Sequence, residues 1–67
     1  MELSARNQLK GRVTNVKPGA VMAEVEVTVE GGTVVAAITE GSSQRLNLAK
    51  GDEVTVIFKA TEVMIGK

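Results

Sequence analysis

Ser4-Ala5-Arg6-Asn7-Gln8-Leu9-Lys10-Gly11 gathers a hydroxyl, a guanidinium, two amides and an ammonium into eight residues. Donors of this kind suit an oxyanion, which needs hydrogen-bond donors more than bulk positive charge. The same residues also read as a polar, solvated N-terminal arm, and their chemistry alone leaves both readings open. A strand-like run follows at once, so the donors stand at the entrance of a strand.

Composition removes most other chemistries. The 67 residues contain no cysteine and no histidine. There is thus no disulfide framework, no thiolate or imidazole metal ligand and no usual general base. Nucleophile–base pairings of the hydrolase type are absent, so no catalytic residue and no metal-cation site is assigned. Eight basic and eight acidic residues cancel, and Phe58 is the one aromatic residue. A nucleic-acid binder usually shows a basic excess and stacking aromatics. No apolar run reaches membrane-spanning length, and Met1-Glu2-Leu3-Ser4 lacks the basic-then-apolar pattern of a signal peptide. A cytoplasmic protein is expected, with no nucleic-acid or membrane partner. A chain this short, without staples, is expected to lean on partner subunits for stability.

The donors must be positioned by strands. Gln8 to Lys17 reads as the first, with Leu9, Gly11 and Val13 on one face. Val16 falls out of register, which predicts a bulge or bend near Asn15. Gly11 inside the strand marks a close backbone approach or a bulge. Pro18-Gly19 is a turn. Ala23, Val25, Val27 and Val29 then alternate with Glu24, Glu26, Thr28 and Glu30, giving one buried and one wet face. The acidic face is read as solvated sheet surface, because no metal-loop spacing accompanies it. After Gly31-Gly32, Thr33 to Thr39 forms a third strand, apolar on both faces, which implies cover from a helix or another subunit. Thr39 to Leu46 reads as a short helix, capped by Thr39 or Ser42 and ending near Asn47. Lys50-Gly51-Asp52 turns into a fourth strand, Glu53 to Lys59. Val63 to Ile65 is expected to form a short fifth. The expected fold class is all-β: a small five-stranded OB-type Greek-key barrel, with one short helix between strands three and four. Residues 1–67 are expected to form one domain.

Four pieces of the chain, in order, carry a family resemblance: Ser4-Ala5-Arg6-Asn7-Gln8-Leu9-Lys10-Gly11; Gly19-Ala20-Val21-x-Ala23-Glu24-Val25; Leu48-x-x-Gly51-Asp52-Glu53-Val54; and Ile57-x-Lys59-Ala60-Thr61-x-Val63-Met64-Ile65. Together they resemble the molbindins, the small molybdate-binding Mop proteins, whose unit also occurs as the TOBE domain of molybdate transporters and regulators. The resemblance runs from about Ser4 to Ile65. It implies the OB-type fold, binding of molybdate or tungstate for storage and homeostasis, and a homohexamer built as a trimer of dimers. The alternatives are a regulatory TOBE domain of a transporter and a nucleic-acid-binding OB domain.

A tetrahedral dianion needs several donors converging on a small sphere, which backbone N–H groups, hydroxyls and one or two cations can supply. Three segments offer them: Ser4, Ala5 and Arg6; Thr39 and Ser42 at the helix start; and Lys59 with Ala60. The resemblance implies that they build one site across a subunit boundary. The Ser4-Ala5-Arg6 arm would come from one chain, and the threonine, serine and lysine positions from its neighbour. On chemistry alone, Thr39 and Ser42 also read as helix caps, Lys59 as an edge-strand gatekeeper and Arg6 as a surface charge. A second anion site is implied at Gly19, Ala20 and Val21. Here the chain departs from the family pattern: Met22 stands where many relatives carry asparagine, and Asn47 where many carry glycine.

Overall fold

A computed structural model describes residues 3–67; Met1 and Glu2 lie outside the described residues. The elements are β1 (Asn7–Lys17), β2 (Met22–Val29), β3 (Gly32–Thr39), α1 (Glu40–Arg45), β4 (Glu53–Phe58) and a 3-10 turn over Ala60–Glu62. The strands form one antiparallel sheet in the order β3-β2-β1-β4. That order is a Greek key: three hairpin-connected strands, with the fourth returning beside the first. The all-β, OB-like class expected from the sequence holds.

β1 holds two partners. Asn7 to Arg12 pairs with β4, and Gly11 onward pairs with β2. Between Val13↔Val27 and Asn15↔Glu26 the register slips by one, so Thr14 is the extra residue of a bulge. This is the bend foreseen near Asn15, and it increases local twist so that the sheet curls. Gly11 permits the close approach on the inner side. A Cβ there would stand 2.6 Å from Val27 Cγ1 and 2.7 Å from the Thr28 carbonyl oxygen.

The core is built from β-branched residues. Val13, Val25 and Val27 are buried together, with Val16, Val29, Ile38, Leu48, Val54 and Val56 packed around them. Ala23 is also buried. The alternation of β2 thus does what it predicted: its apolar set faces in and its glutamates line the outer side. β3 is less simple. Val34, Ala36 and Ile38 are half-buried, while Val35 remains 57% exposed and Ala37 is exposed too. Nothing within the described residues covers that outer face.

The return to β4 is tightly fastened. Val13 N–H donates to Asp52 O at 2.8 Å, and Gly51 N–H donates to Val13 O at 2.7 Å. Arg12 adds a 2.8 Å bond from its guanidinium to Gly51 O. Asn47 takes the left-handed conformation (φ 52) just past the helix, as its place at the C-terminal end suggested.

The fifth strand does not form. β4 ends at Phe58, one residue short of the expected Lys59, and the chain turns through Ala60–Glu62. Val63 to Ile65 then runs on without a strand partner, and Met64 and Ile65 are 93% and 91% exposed. Three β-favouring residues make a strand only where an edge receives them. The 3-10 turn carries these away from the sheet, so its order ends at β3 and β4.

Gly11→Ala should therefore be destabilising. The added methyl meets a backbone carbonyl as well as two valines, and overpacking of this kind costs about 1–3 kcal/mol. A urea denaturation series should show the midpoint lowered at unchanged slope. An unchanged midpoint would contradict the close approach of β1 and β2.

Candidate functional site

The arm before β1 and the chain after β4 come together because β1 and β4 pair. Asn7 lies opposite Phe58 at the end of the ladder, so Arg6 and Lys59 are the next residues out on each side. Ser4, Ala5, Arg6, Lys59, Ala60 and Thr61 line one open depression of about 250 Å³. Gln8 holds the arm from below, its Nε2 donating to Ala5 O at 2.9 Å. Lys59 keeps an extended backbone (φ −76, ψ 140) and starts the 3-10 turn without a side-chain cap. Among the described residues, neither Arg6 nor Lys59 has a carboxylate partner; the one ion pair is Arg12–Glu53. The depression thus offers a guanidinium, an ammonium, the Ser4 and Thr61 hydroxyls and nearby backbone N–H groups. That set suits a small anion. Thr61 was not picked out by sequence reasoning, although it stands in the Lys59-Ala60-Thr61 piece that carried the resemblance.

Thr39 and Ser42 lie elsewhere. Thr39 ends β3, at the opposite edge of the strand order from β4. Of the two candidate caps, Thr39 is the one that caps α1. Thr39 Oγ1 accepts the Ser42 N–H at 3.1 Å and donates to Ser42 Oγ at 2.8 Å. Arg45 Nη2 also donates to Ser42 Oγ, at 3.3 Å. Within a single chain the nominated residues fall into two groups. Lys59 and Ala60 stand beside their own chain's arm, and Thr39 with Ser42 forms a separate group. The reason is the β1–β4 register, which places Lys59 next to Arg6 within one chain.

Gly19, Ala20 and Val21 form the turn between β1 and β2. Ala20 is exposed and Val21 is 73% exposed. The Gly19 N–H, however, already donates to Glu40 Oε1 at 3.2 Å. A larger open depression of about 540 Å³ lies along Lys10, Arg12, Thr28, Glu30, Glu53 and Thr55. Two carboxylates line it, and Arg12 is committed to Gly51 and Glu53, so it is the poorer place for a dianion. No group of three or more potential ligands among the described residues could hold a metal ion. No helix among them is long and apolar enough to cross a membrane.

Residues 3–65 match the TOBE domain model. The chain belongs to the TOBE domain family. Within it, the similar single-domain proteins carry the Mop name "molybdenum-pterin-binding protein". One from Haemophilus influenzae, named as a probable member, is 43% identical over 67 residues, covering 98% of this chain and 97% of its own. Among solved structures, a molybdate-binding protein from Sporomusa ovata superposes at a TM-score of 0.94 with 42% identity, over the full length of both chains. The cytoplasmic molybdate-binding protein ModG superposes at 0.85 with 46% identity; the match covers 90% of this chain and 43% of ModG. The TOBE unit here thus resembles both free-standing proteins and part of a longer one.

The Thr39 cap is open to direct test. Thr39→Val keeps the shape and removes the oxygen that receives the Ser42 N–H, and loss of such a cap costs about 1 kcal/mol. Thermal unfolding should show Thr39→Val clearly less stable than the wild type and Thr39→Ser close to it. Equal stability of all three would show that α1 does not depend on this cap.

Proposed function

We propose that the protein binds molybdate, with tungstate as the near-isosteric competitor, and that it stores or buffers the oxyanion in the cytoplasm. The observation that carries this reading is the convergence of Ser4, Arg6, Lys59 and Thr61 on one depression, with both cations free of carboxylates among the described residues. Relatives of nearly equal length named for molybdenum binding support it. The chain acts as a single TOBE-type unit over residues 1–67, takes no metal cation or organic cofactor, and performs no reaction on its ligand.

The site is finished by a second copy. Ser4, Arg6, Lys59, Ala60 and Thr61 are all exposed in the single chain, and water there weakens every charged hydrogen bond. Thr39 and Ser42 of another copy would supply more donors and exclude that water. The exposed apolar residues Leu9, Val35, Ile57 and Val63 are available for contacts between copies. A homohexamer, arranged as a trimer of dimers, is the assembly this reading carries forward. Net charge of zero and a single aromatic residue leave the oligonucleotide-binding use of the OB fold without support.

Lys59 separates binding from a merely structural use. Lys59→Met keeps the stem and removes the charge and its donors. A hydrogen bond to a charged group is worth roughly 1.5–3 kcal/mol. Molybdate affinity should accordingly fall about ten- to a hundred-fold, with the assembly unchanged by size-exclusion chromatography. An edge gatekeeper instead requires unchanged affinity and more aggregation. Calorimetric titration returning wild-type affinity in a still-assembled variant would remove Lys59 from the site.

A further inference from the structure

The arm that carries Ser4, Ala5 and Arg6 makes one hydrogen bond to the rest of the described residues: Gln8 Nε2 donates to Ala5 O at 2.9 Å. The donor is itself anchored. Gln8 lies opposite Ile57 in the β1–β4 ladder, with Asn7↔Phe58 and Leu9↔Val56 on either side. Its side chain is exposed and does not line the depression that the arm forms with Lys59, Ala60 and Thr61. The ladder ends at Asn7, and a chain end beyond the last ladder bond is ordinarily mobile unless something ties it down. Gln8 supplies that tie.

The bond also acts through peptide geometry. The Ala5 carbonyl and the Arg6 N–H belong to one planar trans unit, in which C=O and N–H point in opposite directions. Holding the Ala5 oxygen therefore sets the direction of the Arg6 N–H. Accepting a bond at the oxygen polarises the same amide, so its N–H becomes a stronger donor. Among the described residues the Arg6 N–H makes no hydrogen bond of its own, which leaves it available to a ligand.

We propose that Gln8 is a positioning residue for the Ser4–Thr61 depression, fixing the arm before a ligand arrives and orienting the Arg6 N–H as one of the donors to a bound oxyanion; the inference rests on the oxyanion-binding reading. Gln8 touches the arm and not the ligand. Its contribution is preorganisation: without it, the entropy of ordering the arm backbone counts against every binding event.

Calorimetric titration of molybdate into the full chain carrying Gln8→Met tests this. Methionine keeps the length of the stem and removes the donor. Affinity should fall about five- to ten-fold, as expected for one lost hydrogen bond, with the assembly unchanged by size-exclusion chromatography and the urea midpoint close to that of the wild type. Gln8→Thr, too short to reach Ala5 O and favourable in a strand, should do the same. Amide 15N relaxation adds a readout that overall stability does not move. In the wild type without molybdate, the Ala5 and Arg6 amides should be as ordered as those of β1, and the Arg6 amide should shift as molybdate is added. In Gln8→Met both amides should be mobile until molybdate binds. Wild-type affinity in either variant overturns the inference, as does an arm that stays ordered in Gln8→Met or a wild-type Arg6 amide that molybdate does not move; each of these leaves the oxyanion reading standing. Absence of any molybdate binding by the wild type overturns that reading and the inference with it.

Discussion

The double pairing of β1 is the constraint from which the rest of this structure follows. One eleven-residue strand must hydrogen-bond β4 with its first half and β2 with its second, sharing Gly11 and Arg12 between both. A flat strand would leave the apolar faces spread over an open sheet. The bulge at Thr14 and the missing side chain at Gly11 let the sheet curl instead, so that Val13, Val25 and Val27 meet. The same pairing fixes where the ends go. It brings the residues before β1 beside those after β4, and the Ser4–Arg6 arm meets Lys59–Thr61 as a consequence of register.

That placement suits the chemistry of a small oxyanion in a chain of zero net charge. Selectivity for such a ligand comes from local, directed donors, and long-range attraction has little part in it. Two cations without carboxylate neighbours among the described residues, flanked by hydroxyls, are a local excess that the overall charge conceals. In an isolated chain the depression is wet, and the high dielectric of water limits what those donors contribute. Closure by another copy would change the dielectric without changing a single residue. Binding and assembly are therefore expected to reinforce each other by mass action, since a ligand held between copies favours the assembled form.

Much of the fold was legible in the residues because local patterns carried it. The alternation of β2 could bury only one face, the out-of-step Val16 pointed to the bend at Thr14, and Thr39 could cap the helix through its own oxygen. Val63 to Ile65 misled because strand preference is local whereas strand formation needs a partner edge, and the 3-10 turn at Ala60–Glu62 removes the segment from the sheet. The residues lining the candidate depression were legible by type at Ser4, Arg6, Lys59 and Ala60. Their grouping was not, because it depends on which strands pair and in what register. Thr61 was hidden for the same reason. The Glu40–Gly19 bond joins residues 21 apart in sequence, and no spacing rule reports a contact of that kind.

Native mass spectrometry of the wild-type protein, with and without molybdate, tests most directly whether an oxyanion is held between copies. The expected spectrum shows an oligomer that carries molybdate and survives activation better when loaded than when empty. Monomers carrying molybdate as firmly as the assembly does would contradict a site completed by a second copy.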